Sequence, residues 1–196
     1  VIMACNGIGT PRLLLNSTSA RFPDGLANRS GLVGKNLMFH PWGFVQGHFD
    51  EPLDSHLGPM GTCMLSQEFY ETDPARDFVR GYSLQFTRGS AMIDTAVNGT
   101  FSGNIPWGAG HHAAFEKYMG RGVNVNICCE DLPEECNTVT LDPELVDSNG
   151  IPAPKINYRL SENSKRMMDH AVGKATEVLQ AAGAFQIDPG GHAAGT

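Results

Sequence analysis

Apolar residues recur along this chain with two periods, and the two predict different elements. Val1 to Cys5 is a continuous apolar run of the kind found in a buried strand of a parallel sheet. A turn over Asn6–Gly9 follows, with Thr10 as a helix N-cap, Pro11 at the first helical position and Arg12–Leu15 continuing the helix. From Trp42 to Phe49 apolar and polar residues alternate with period two. Thr62–Phe69 and Phe78–Phe86 read as further strands, bounded by turn chemistry at Gly58-Pro59 and Thr72–Ala75. Val123–Cys128 alternates cleanly, and Thr138–Leu141 and Lys155–Leu160 complete the set. Strands without helices between them predict an antiparallel sheet.

The helical period appears most clearly late in the chain. Ser161 caps a helix running to about Ala182, with Met167, Met168, Ala171, Val172, Ala175, Val178, Leu179 and Ala182 on one stripe and Gly183 closing it. Packing against a sheet accounts for that stripe better than a cofactor role. His111–Met119 fits a short helix. Ser19–Ser30 and Pro143–Pro154 read as polar connections. Ser90–Gly110, rich in Gly, Ala and Asn, reads as a loop covering a cleft. The pattern predicts an α+β fold.

Charge narrows the partners. The net charge is −7, and the 14 Lys and Arg residues are scattered, which argues against nucleic acid. No apolar run approaches the roughly eighteen residues of a membrane-spanning helix. Five cysteines (Cys5, Cys63, Cys128, Cys129 and Cys136) lack disulfide-scaffold spacing. Cys128 and Cys129, neighbours on a strand, face opposite ways and do not jointly chelate an ion, so free and mostly buried thiols are expected. The sequons at Asn16, Asn28 and Asn98 read as chance.

Val1–Ser17 resembles a segment of the glucose–methanol–choline (GMC) family of flavin oxidoreductases, where it is the last strand of the FAD-binding sheet. Gly31–Pro41 and the terminal His192-Ala-Ala-Gly-Thr196, similar to the family's His-x-x-Gly-Thr motif, extend the likeness. The wording of Ala4–Pro11, Phe39–Pro41 and Glu130–Pro133 is closest to the gluconate-dehydrogenase-like branch. Asn6-Gly7 departs from the Gly-Ala of many members. The resemblance implies FAD as cofactor and an internal or C-terminal fragment of a longer chain. Residues 1–40 would belong to an FAD-binding α/β domain and 41–186 to a substrate domain, an antiparallel sheet backed by helices. Residues 187–196 would return to the FAD domain. The Gly-x-Gly-x-x-Gly motif that holds the ADP half of FAD does not occur here.

The resemblance assigns His192 as the catalytic proton acceptor. An imidazole suits the role, because a hydroxyl must lose its proton as its carbon gives up hydride. It also implies that Ala4, Cys5 and Asn6 touch FAD through their backbone. The spacing of the Cys and His residues gives no metal site. Other candidates read as structural: His40 before Pro41 is held extended and can bond backbone, His111-His112 face solvent, and Glu130-Asp131 serve a turn or salt bridge. Trp107 and Phe101 either line a cleft or pack in the core. The expected function is oxidation of a CH–OH donor, a sugar, sugar acid or polyol, with the missing segments of the same chain as partner. Gluconate-branch relatives add membrane electron-transfer partners. The alternative is a non-catalytic or incomplete module that binds no flavin by itself.

Overall fold

The computed structural model describes residues 2–58, 61–88 and 91–190. It is an α+β fold in two compact units. The segment up to Phe39 and Asp131–Ser161 form one, and His40–Glu130 with the chain from Glu162 form the other.

In the first unit, helix α1 (Asn6–Asn16) packs on a hairpin of β5 (Thr138–Val146) and β6 (Pro152–Asn157). Arg12 joins them: its guanidinium donates to Asp147 Oδ2 at 2.8 Å, Pro152 O at 2.7 Å and Ile151 O at 3.1 Å. Buried Asn137 closes the hairpin by accepting from the Arg159 N–H at 2.8 Å and donating to its carbonyl at 3.1 Å.

The expected strand at the start of the chain is corrected here. Residues 2–5 are exposed and pair with no strand among the described residues, and a strand exists only through its ladder. The helix also begins a turn before Thr10. Asn6 adopts φ +59°, a region an Asn tolerates better than other side chains. Its Oδ1 accepts from Ile8 N and Gly9 N, both at 2.9 Å, so Asn6 makes the capping bonds. Pro11 lies inside the helix, and the carbonyl its ring approaches one turn back belongs to Gly7.

The second unit is built on a five-stranded antiparallel sheet. Its strands are β1 (Trp42–His48), β2 (Thr62–Ser66), β3 (Tyr82–Arg88), β4 (Gly122–Cys129) and β7 (Gln186–Pro189), in the order β2-β3-β4-β1-β7. Helix α4 (Glu162–Ala181) covers one face. Its buried Met167, Met168, Ala171, Ala175 and Leu179 meet Val45, Leu84, Val125 and Ile127 from the strands. Each such Met or Leu contributes about 1.5–3 kcal/mol on burial. Two glycines of β1 let the helix approach. A Cβ on Gly43 would stand 2.8 Å from Met168 Sδ, and one on Gly47 2.8 Å from Leu179 Cδ2. At the far end Gly183 (φ +88°) donates to Gln180 O at 3.0 Å and Ala184 to Leu179 O at 3.1 Å, a Schellman closure.

Three further expectations change. The stretch read as a loop over 90–110 contains helix α2 (Met92–Phe101). Its Gly99 lies under Ile105, which is 1% exposed and would meet a Cβ at 2.5 Å, so the glycine that obscured the helical pattern is a packing site. The strand expected from Phe78 begins only at Tyr82, because Arg80 takes φ +68° and turns the chain. β5 runs on through Pro143 to Val146 across a register shift, where Asp142 Oδ1 accepts from Glu144 N and Leu145 N. Helix α3 (His111–Tyr118) falls where the pattern placed it. No helix among the described residues is long and apolar enough to cross a membrane.

Candidate functional site

The sheet face opposite α4 differs from an ordinary solvated face. Period-two alternation sends Phe44, Gln46 and His48 away from Val45, and Asn124 and Asn126 away from Val125. Gln46 is in register with Asn124 on one side and Asp188 on the other. Asn124 is in turn paired with Thr87 of β3. One row across four strands therefore reads Asp188, Gln46, Asn124, Thr87. A solvated face is normally dressed with Lys and Glu, whereas this row carries neutral amides, a hydroxyl and one carboxylate. Asn98, Phe101 and Ser102 at the end of α2 join Phe44 and the amides around a cleft of about 660 Å³. That size and mixture of aromatic and convergent polar groups suit a small-molecule site.

Asp188 is fixed from several directions. Asn104 Nδ2 donates to Oδ2 at 2.8 Å, Gln186 Nε2 to Oδ1 at 2.9 Å, and His48 Nε2 lies 3.2 Å from Oδ2. Gln186 is itself held, accepting from Tyr118 OH at 2.8 Å and donating to Asn104 Oδ1 at 2.9 Å. The carboxylate side chain keeps 34% of its exposure, while the His48 side chain keeps 7%. Burial pulls the His48 pKa below its ordinary 6.5, more than Asp188 raises it, so the ring is neutral at neutral pH. With Nε2–H donated to the carboxylate, Nδ1 is an acceptor. It has no hydrogen-bond partner among the described residues, and His48 and Ser55 both line a polar cavity of about 30 Å³.

Of the site residues expected from sequence, His192 lies outside the described residues. Ala4 and Cys5 precede α1 and Asn6 opens it, all three exposed, with the Cys5 N–H donated to Thr10 Oγ1 at 3.2 Å. Around them Gly7 has no atom near where a side chain would stand, so the backbone is open to a ligand. His40 Nδ1 bonds Cys129 O at 3.2 Å, as its place before Pro41 predicts. His111 Nδ1 contacts Pro106 O. Glu130 pairs loosely with Arg80 at 4.0 Å, and buried Asp131 accepts from Tyr158 OH at 2.6 Å. Phe101 lines the cleft, and exposed Trp107 is in no core. The thiols are free, but contrary to expectation only Cys129 is buried; Cys5, Cys63 and Cys136 are exposed. No group of three or more His, Cys, Asp or Glu among the described residues could hold a metal.

His48 and Asp188 were not singled out by sequence reasoning. The signal was the polar phase of the strand alternation, which attention to the apolar phase passes over.

No family model matches the chain. Its relatives are dehydrogenases and oxidases. It is 38% identical over 206 residues to 2-methyl-1,2-propanediol dehydrogenase of Mycolicibacterium austroafricanum, covering 100% of this chain and 37% of that protein. It is 25% identical to the fructose dehydrogenase large subunit of Gluconobacter japonicus (95% and 34%) and 25% identical to paromamine 6'-oxidase of Streptomyces fradiae (95% and 31%). The chain thus spans about a third of the length of the curated relatives it matches. These names agree with a GMC-type oxidoreductase.

Proposed function

We propose that this chain supplies the substrate-binding sheet, and part of the cofactor-binding region, of an FAD-dependent oxidoreductase of the GMC type. Its donor is a CH–OH group of a sugar, sugar acid or polyol. The observation that carries the reading is the amide-rich face with its single fixed carboxylate, a surface of alternating donors and acceptors suited to hydroxyls. The relatives support it, since their names specify a diol, a sugar and an aminoglycoside component.

The exposed Ala4, Cys5 and Asn6 at the start of α1 would contact the cofactor through their backbone, apart from the Cys5 N–H, which Thr10 Oγ1 already takes. Bound flavin would supply the hydride acceptor. The sheet face holds and orients the donor, and His192 takes the hydroxyl proton. Gly190 donates its N–H to Phe44 O at 2.9 Å and lines the cleft.

The test is a visible absorption spectrum of the full-length protein with FAD, followed by turnover of His192→Ala. A flavin band surviving desalting, with turnover lowered at least about a hundredfold and the band retained, is expected. Unchanged turnover removes His192 from the mechanism. A colourless full-length protein overturns the flavin reading, whereas a coloured full-length protein whose 196-residue segment alone stays colourless supports the second reading, a module that binds no flavin by itself.

A further inference from the structure

Resting on that reading, we propose that Asp188 determines specificity by binding a second hydroxyl of the donor, so that vicinal diols and longer polyols are preferred over simple alcohols. Three side chains hold the carboxylate in place, yet a third of it remains exposed on the cleft side. The donors are unevenly shared. Among the described residues, Oδ2 receives Asn104, His48 and a longer contact from Gln186 at 3.1 Å, whereas Oδ1 receives Gln186 alone. A carboxylate oxygen accepts in two lone-pair directions, so Oδ1 has capacity left for one more donor. A hydroxyl is that donor, and its bond to an ionised acceptor is short and charge-assisted.

Neighbouring groups extend the argument. Gln46 and Asn124 continue the row from Asp188 at the inter-strand spacing of about 4.8 Å. A monohydric alcohol can occupy only one step of that row. A donor with successive hydroxyls meets the carboxylate and an amide together, while Phe44 and Phe101 cover its carbon skeleton. An alcohol lacking the second hydroxyl leaves Asp188 without a partner for the water it displaced, and sites built to bond a hydroxyl reject such analogues strongly.

The experiment compares propane-1,2-diol with propan-1-ol on the full-length protein, reading each Kd by saturation-transfer NMR titration without turnover. The diol is expected to bind roughly ten- to hundredfold more tightly, and Asp188→Asn to lower its affinity to that of propan-1-ol. Equal affinities in the unsubstituted protein overturn the proposal, as does an Asp188→Asn variant that keeps the preference. Should Asp188→Asn fail to fold, as its circular dichroism would reveal, Asp188→Glu, which keeps the charge but displaces it, is expected to weaken the preference, and an unchanged preference overturns the proposal. Because binding is read without flavin, a protein that prefers the diol but never reduces FAD sinks the oxidoreductase reading and leaves this one standing.

Discussion

His48 reaches diagonally across the β1–β7 pair to Asp188: its Nε2 lies 3.2 Å from Oδ2, although its register partner is Gln186. The diagonal works because Gln186 is turned aside to Tyr118 and Asn104. A buried imidazole thereby holds the one carboxylate of the amide row without carrying charge itself. Its other neighbours are the Tyr118 and Phe185 rings, with Lys117 adding a small opposing field.

That neutrality makes stability pH-dependent. His48 and His170 both titrate below 6.5 in the fold, each chiefly through burial; for His170, Lys174 and Arg76 push the same way against Glu177 and Asp77. An unfolded chain binds protons to both near pH 6.5, whereas the folded one does not. Stability is therefore complete above pH 6.5 and falls as the pH drops from there toward the lower folded values. Melting scans between pH 7.5 and 5 should show Tm declining only in the lower half. A flat profile would contradict the buried neutral rings.

Asn6 combines a left-handed backbone with the capping bonds of α1. Asn6→Ala should cost about 1 kcal/mol through the lost cap, and more from its positive φ. Asn6→Gly should cost only a few tenths. Urea midpoints at a constant slope distinguish them, and an Ala variant as stable as the Gly variant would remove the capping role.

Gly47→Ala drives a methyl toward Leu179 Cδ2, which stands 2.8 Å from the new atom's position. Overpacking of this kind costs about 1–3 kcal/mol. Adding Leu179→Ala should make the pair non-additive, because the second change removes what the first collides with.

The thiols should separate by reactivity. Burial pushes Cys129 up to about 12 and raises Cys128 less strongly. With a disulfide reagent at pH 8, Cys5, Cys63 and Cys136 should react first, Cys128 slowly, and Cys129 only on unfolding. Rapid labelling of Cys129 in the native protein would mean that the sheet opens.

Much of the second unit was legible in the sequence. Period-two patterns announced β1 and β4 because one face of each is covered by α4, whose own stripe was equally plain. Helix α2 was hidden because Gly99 is there for Ile105, a partner that local periodicity does not reveal. The apolar start of the chain misled for a related reason: it has the composition of a strand but no ladder partner among the described residues. Of the expected site, the His192 motif lies outside the described residues. The Asp188–His48 contact depended on strand order, and β7 lies beside β1 although 137 residues separate His48 from Gln186.

The first unit is made of two stretches of chain with four of the five strands of the large sheet between them. On the ribosome, α1 emerges roughly 120 residues before the hairpin on which it packs. At ordinary translation rates that is a wait on the order of ten seconds. Through it Arg12 lacks the carbonyls and carboxylate that it clamps. The clamp on Arg12 therefore closes only once Asp147 to Pro152 has been synthesised, which makes it a late event in the life of the chain.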